Sequence, residues 1–331
     1  MTMPDELHVS MASGGAYAVL YSSFWSALDS TPSGKMFRQQ ITQMSGSSAG
    51  AIVGCAVANG TPGQEIHSCL LHCGIRDRIY YLRLLMVYLR LKRSLYTTKK
   101  YERILRQLLA STLYQRVPLT VAVTDENLTQ QCITYSDTAT NGVVNAVLAS
   151  AAIPFVFNAR NVPPYGMCSD GSLAQHVYPA KTVTNVLQGS SGRLVVINCL
   201  PWPGYRRAAP HSKPAFYNMS RILSKVDAQL YAPGMEQTFD FIIQPRLKYE
   251  DGIFDIWIDN TLGSARQVPA GHGNLHVVFV APTTDQFIAC GGAMTKSSLY
   301  FRPGDKRTVA MEQTGRSMAF EFITRYGQIA L

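Results

Sequence analysis

The sequence predicts an α/β protein, with a central, mostly parallel sheet and helices on both faces. Three observations carry this. Strand-like and helix-like segments alternate through the first half of the chain, the pattern of repeated β-α-β units. Two later runs, Leu194 to Leu200 and Leu275 to Ala281, are apolar almost throughout, as strands buried on both faces are. The stretch Met44 to Gly60, MSGSSAGAIVGCAVANG, reads as a strand end, a sharp turn and a buried helix.

In chain order, Leu7 to Met11 alternates as a first strand. It runs into Ala12-Ser13-Gly14-Gly15-Ala16, a glycine loop opening a helix from Tyr17 to Leu28. Glycines there let backbone N–H groups face a cavity without side-chain obstruction. Ser30 to Gly34 reads as a turn, and Phe37 to Met44 as a second strand. Ala49 to Asn59 is the buried helix, closed by Gly60. Gln64 to Cys73 is a further helix. Pro118 to Val123 and Gln131 to Tyr135 pair as a hairpin. Val143 to Ala151 is a short helix halted at Ile153-Pro154. Phe155 to Asn161 is extended, and Pro163 to Gly166 is a turn. Beyond Leu200 come a proline-rich basic loop to Pro214 and a helix from Ser220 to Tyr231. Phe239 to Gln244 and Gly252 to Ile258 are of ambiguous type, and Thr314 to Tyr326 is a terminal helix. Neither repeat nor linker divides the chain. Residues 1–331 read as a single domain, with a core at about 7–200 and C-terminal strands and helix in 201–331.

Composition narrows the function classes. Hydrophobic residues make up 47% of the chain and charged ones 15%, which gives a sizeable core and excludes a disordered chain. The net charge of +9 favours anionic partners, but no nucleic-acid motif accompanies it, so no nucleic acid is expected. Cysteines 55, 69, 73, 132, 168, 199 and 290 are scattered and odd in number, which argues against a disulfide framework and for a reducing compartment. HSCLLHC, residues 67–73, matches no standard zinc spacing and reads as a packed helix, so no metal site is expected. There is no signal-peptide pattern, and no apolar run reaches the ~20 residues that span a bilayer. A cytoplasmic protein in peripheral contact with membranes is the expectation. The segment Arg76 to Leu109 carries ten Lys or Arg against Asp77 and Glu102, with apolar and aromatic residues between them. Two readings stand: a helix packed on the core with a solvated basic face, or a lid that lies on an anionic membrane surface.

The chemistry-bearing stretch is Gly46-Ser47-Ser48-Ala49-Gly50, a G-x-S-x-G turn between strand and helix. Such a turn lifts the Ser48 hydroxyl clear of the sheet, and Gly46 and Gly50 let the helix pack close beneath it. The helix N-terminus then points free N–H groups and a positive dipole end at charge developing beside Ser48. Asp170-Gly171, between an extended stretch and a loop, either places a carboxylate at a sheet end or is a simple turn.

Taken together, four stretches resemble the patatin-like phospholipase family, in its order. Ser13-Gly14-Gly15-Ala16 is similar to its oxyanion loop, Gly46 to Ala51 to its nucleophile elbow, Ala149 to Phe157 to its Ala-Ser, Pro and Phe stretch, and Ser169-Asp170-Gly171-Ser172 to its Asp-Gly motif. Ser298 to Ala319, with Gly315 opening a terminal helix, is similar to the closing segment. The resemblance implies a three-layer patatin-like fold and a Ser–Asp dyad that needs no histidine, metal or cofactor. Carried over by position, Ser48 is the nucleophile and Asp170 its base. Gly14, Gly15 and Ala16 supply oxyanion donors, and Gly46, Gly50 and Gly171 support the two motifs. The implied substrate is a phospholipid or other lipid ester, with a protein activator possible in such a system. The chain departs from the family pattern at Ser13, at Tyr17, where an arginine is usual, and at Ser172, where Gly or Ala is usual.

Two other readings remain open at this level. A conventional Ser–His–acid esterase would draw on His272 or His276, which follow Asp170 in the usual order. A non-catalytic membrane- or protein-binding module would keep the fold and lose the reaction.

Overall fold

A computed structural model describes residues 6–72, 94, 98–136, 141–154, 156–173, 192–201, 250–259, 266–291 and 303–327. The stretches 76–93, 95–97, 202–249 and 292–302 lie outside the described residues, and with them most of the basic segment, the proline-rich loop and the segments at 220–231 and 239–244.

The chain opens with β1 (Glu6–Met11), a single tight turn at Gly15–Tyr17 and α1 (Ala18–Asp29). Two short readings are corrected next. Residues 30–34 are not a free turn and 37–40 are not strand: α2 runs Pro32–Gln40, and β2 begins only at Ile41 and ends at Ser47. The cause is a strong helix start. The Thr31 side chain accepts from the Gly34 N–H at 3.0 Å, and Pro32 occupies the first turn, where its missing N–H costs nothing. Helices α3 (Ala49–Ala58), α4 (Gly63–Leu71) and α5 (Lys99–Ala110) follow. Then come the hairpin β3 (Leu119–Thr124) and β4 (Gln130–Tyr135), α6 (Asn141–Ser150), and the short strands β5 (Arg160–Asn161) and β6 (Met167–Asp170). Phe155 lies outside the described residues, and the extended reading of 155–161 fails at Val156 and Phe157, whose N–H groups donate to the Ile153 carbonyl at 3.1 and 2.9 Å. The second half supplies β7 (Gly192–Ile197), β8 (Phe254–Asp259), β9 (Arg266–Val268), β10 (Leu275–Val280), α7 (Thr284–Ala289) and α8 (Lys306–Tyr326).

The strands form a mixed sheet in the order β5-β6-β3-β2-β1-β7-β10-β8-β9, with β4 also on β3. Its centre is parallel, through β3-β2, β2-β1, β1-β7 and β7-β10, and its flanks are antiparallel. Val9, Met11, Met44, Val121, Val195 and Val278 face one side and join a single apolar cluster with residues of all eight described helices. The alternate residues, among them Ser10, Ser45, Thr120, Leu194, Val196 and Phe279, are buried on the other side. A sheet covered on both faces is the middle of a three-layer α/β fold.

Two further details position the site. First, β2 pairs with β3 only as far as Ser47↔Ala122. β4 occupies the other edge of β3 along its whole length, so β6, which pairs Asp170↔Val123 and Ser169↔Thr124, takes the edge that β2 leaves. Second, Arg38 of α2 is buried and donates to the Asp29 carboxylate and to the Thr61 carbonyl, while Asp29 also accepts from the Gly63 N–H at 2.7 Å. This network ties the ends of α1, α2 and α3 together.

The terminal helix starts at Lys306 under an Asp305 cap, so Gly315 lies inside it rather than at its opening. The reason for glycine is the crossing with α1: a Cβ on Gly315 would stand 2.4 Å from the Leu20 carbonyl oxygen. Gly315→Ala should gain up to about 1 kcal/mol of helix propensity and lose about 1–3 kcal/mol to overpacking against backbone that cannot swing aside. Net destabilisation in urea unfolding is the expected result; a stabilised variant would show that the crossing has slack.

Candidate active site

Ser48 occupies the turn between β2 and α3 with φ 52° and ψ −120°, a conformation non-glycine residues rarely adopt. The surroundings hold it there. The Ser48 N–H donates to Ser150 Oγ at 2.9 Å, and the Ser48 carbonyl accepts the N–H groups of Ala51 at 3.0 Å and Ile52 at 3.2 Å. Close packing of α3 does the rest. A Cβ on Gly46 would meet the Gly50 carbonyl oxygen at 2.6 Å, and one on Gly50 would meet the Met11 and Ala12 oxygens at 2.3 and 2.4 Å. Both elbow glycines are therefore required by contact.

The edge of β3 that passes from β2 to β6 brings Asp170 beside Ser48. Ser48 Oγ donates to Asp170 Oδ2 at 2.7 Å, across 122 positions of sequence. The aspartate backbone is fixed on three sides: its N–H donates to the Ala152 carbonyl at 3.1 Å, its carbonyl accepts from Thr124 Oγ1 at 2.8 Å, and the next N–H, of Gly171, donates to the Ser150 carbonyl at 3.1 Å. The carboxylate is fully buried. Burial pushes its pKa above the usual carboxylate range, while hydrogen bonds from Ser172 and Ser48 pull it back down.

The glycine loop lies on the same cavity. Gly15, at φ 54°, lines it together with Ser48 and Ala49, and Gly14 packs so closely on Cys199 that a Cβ would stand 2.3 Å from its sulfur. Gly15 and Ala16 begin a helical turn, and the first N–H groups of such a turn have no intrahelical acceptor. The cavity opens to solvent, and it and its mouth together span about 610 Å³. Its walls are apolar: Ile52, Leu70, Leu148 and Ile153, roofed by Tyr101 and Phe157, whose rings meet edge to face at 5.6 Å.

Tyr101 belongs to α5, the described part of the basic segment. Leu105 and Leu108 are buried, and Lys99, Arg103 and Arg106 are exposed. Arg160 clamps this helix by donating to Thr98 Oγ1 at 2.5 Å and Glu102 Oε2 at 3.1 Å, and ties it to α6 through Asn145 Oδ1 at 3.2 Å.

The histidines considered for a conventional triad lie elsewhere. His276, second residue of β10, registers through Arg193 and Leu7 with Ile41, at the far end of β2 from Ser48. Seven residues of strand separate those levels, about 20 Å. There His276 hydrogen-bonds Asp255 at 2.8 Å and stacks on Trp257, and His272 lies in the turn before β10. A second grouping, Ser22–His67–Glu312, has the form of a triad, but Ser22 is fully buried within α1 and donates to the Val19 carbonyl. It joins α1, α4 and α8.

A family model for patatin-like phospholipase matches residues 9–183, more than half of the chain and every motif above except the terminal helix. The chain belongs to the patatin-like phospholipase family. No curated protein sequence matches closely enough to compare. Among solved structures, VipD from Legionella pneumophila is similar at 12% identity and a TM-score of 0.47, over 98% of this chain and 67% of that one. ExoU, solved with SpcU from the type III secretion system of Pseudomonas aeruginosa, is similar at 14% identity and TM-score 0.31, over 75% and 53%. Human GIVD cytosolic phospholipase A2 is similar at 10% identity and TM-score 0.38, over 99% and 59%. The chain thus spans between about half and two thirds of these longer chains. Within the patatin-like site, Ser150 and Ser172 are the residues to which the sequence assigned no role: Ser172 stood out only as a departure from the family pattern. Ser150 stood inside a quoted motif, but no local pattern ties it to Ser48.

Proposed function

We propose that this patatin-like chain is a serine-dependent lipid acyl hydrolase, with Ser48 as nucleophile and Asp170 as general base. The observation that carries this is the 2.7 Å contact from Ser48 Oγ to the buried Asp170 carboxylate at the floor of an apolar cavity. A serine hydroxyl is a weak nucleophile until a neighbouring base accepts its proton. In this reading Oδ2 takes that proton as Oγ attacks the ester carbonyl. The oxyanion of the tetrahedral intermediate is held by amides of Gly14, Gly15 and Ala16 and by the N-terminus of α3. Collapse of the intermediate expels the alcohol, which takes the proton back from Asp170. Water then enters and attacks the acyl carbon as Asp170 takes its proton; collapse releases the fatty acid, and Asp170 returns the proton to the departing Ser48 Oγ.

The cavity walls favour an aliphatic acyl group, since each methylene buried there contributes about 0.8 kcal/mol. The basic segment 76–109 would hold the protein on anionic membrane, at about 1 kcal/mol per well-placed cation. This fits a peripheral cytoplasmic enzyme, and an acidic protein activator would use the same charge. No described helix is long and apolar enough to cross a membrane.

The test is fatty acid release from mixed anionic phospholipid vesicles, together with labelling by a fluorophosphonate. Wild type should release fatty acid and take the label, and Ser48→Ala should do neither. Labelling without release would point to a missing activator. Absence of both would favour a binding module.

A further inference from the structure

A carboxylate has two equivalent oxygens, and a base that must meet one hydroxyl has to be held in one orientation. At Asp170 the two oxygens are treated differently. Oδ2 accepts from Ser48 Oγ, whereas Oδ1 accepts from both the Ser172 hydroxyl, at 2.5 Å, and the Ser172 N–H, at 2.9 Å. Ser172 is itself buried, so its hydroxyl is drawn from the protein rather than from solvent. The amide contact comes with any residue at 172; the hydroxyl contact requires serine or threonine.

We propose that Ser172 is a positioning residue for the base: its hydroxyl pins Oδ1, which orients Oδ2 toward Ser48 and favours the ionised carboxylate. The inference rests on the hydrolase reading for its kinetic consequence, while the geometry stands by itself.

The environment leaves this role to Ser172. The elements against Asp170 are β3, the turn into α3, the end of α6 and β6. Among the described residues they contribute Thr124, Ser48, Ser150 and Ala152, all uncharged. Asp125 and Glu126, just past β3, act on Cys168 rather than on Asp170. Desolvation is thus opposed by hydrogen bonds alone, with the Ser172 hydroxyl first among them.

The experiment compares wild type, Ser172→Ala and Ser172→Gly by the pH dependence of kcat/KM on a soluble ester. The carboxyl carbon resonance of Asp170, identified by its loss in Asp170→Asn, is titrated in the same proteins. A base works only when ionised, so activity rises with pH through the Asp170 midpoint. Without the hydroxyl, the rising limb and the resonance midpoint should both move to higher pH. At a pH on the wild-type limb, kcat/KM should fall about tenfold, the worth of one hydrogen bond to a charged group. KM should change little, since Ser172 is not among the residues lining the cavity. A limb and a resonance that stay in place in both variants overturn the proposal. If wild type shows neither Ser48-dependent turnover nor fluorophosphonate labelling, the hydrolase reading falls, and the resonance alone still decides whether Ser172 controls the carboxylate.

Discussion

Asp170→Asn is expected to remove hydrolysis as completely as Ser48→Ala, with the double variant no worse than either. Each should lower kcat by about a thousandfold or more, since nucleophile and base act as one unit and their losses do not add. The contact at 2.7 Å is the only acid–base partner of Ser48 among the described residues, and His276 lies about 20 Å away along the sheet. Turnover by Asp170→Asn near the wild-type rate would sink the dyad. The same variant should be the more stable protein. Burial raises the folded pKa of Asp170 above its unfolded value, so folding favours the protonated form. Below the unfolded value both states are protonated and there is no penalty. Between the unfolded and folded values only the unfolded chain ionises, so the cost accrues there and is fully present above the folded value. The melting temperature of Asp170→Asn should therefore exceed that of wild type by a margin that grows from pH 4 to pH 8. A margin that shrinks over that range would mean that the buried carboxylate is better solvated than its surroundings indicate.

Gly50→Ala is the second large effect. The added Cβ would stand 2.3 and 2.4 Å from two consecutive backbone oxygens, Met11 and Ala12, which rotamer changes cannot move. Helix α3 must lift from β1, carrying the elbow with it, and the strained segment leads directly into the glycine loop. A loss of about 2–4 kcal/mol in stability and of at least about a hundredfold in kcat/KM is expected, since a displacement of about 1 Å at a reacting centre has that effect. Gly54→Ala, one turn further along the same helix, is the control. Its Cβ would meet nothing closer than 3.8 Å, and the gain in helix propensity should leave the protein unchanged or up to about 1 kcal/mol more stable. Chemical denaturation and fluorophosphonate labelling of the two variants read both quantities. Equal behaviour would show that the elbow tolerates movement.

Much of the fold was legible because local pattern and tertiary role agree. The apolar runs of β7 and β10 are buried on both faces, and α3 is apolar all round because the sheet and other helices enclose it. Where they disagreed, the sequence misled. Phe37, Ile41 and Met44 all join the apolar cluster, the first from a helix and the others from a strand, so spacing alone could not place the boundary at Ile41. The Thr31-Pro32 start was visible and outweighed by a turn-like composition. At the site, the types and order of Ser48 and Asp170 were readable, whereas their separation was not, because it depends on which strand takes the edge of β3. The role of Ser150 was hidden for the same reason, since it serves a residue 102 positions away; Ser172 was visible as a departure from the family motif, but its role depends on a carboxylate whose partner lies 122 positions off.

The edge of β3 that changes hands has a consequence for when the protein becomes active. Ser48 and Asp170 meet only when β2 and β6 both lie on the same edge of β3, which joins positions 122 residues apart. Long loops close late, because ordering entropy precedes the contacts that reward it. A nascent or partly unfolded chain would carry the elbow without its base. On the hydrolase reading proposed above, lipolytic power would then switch on with the final strand and lapse at the first local opening.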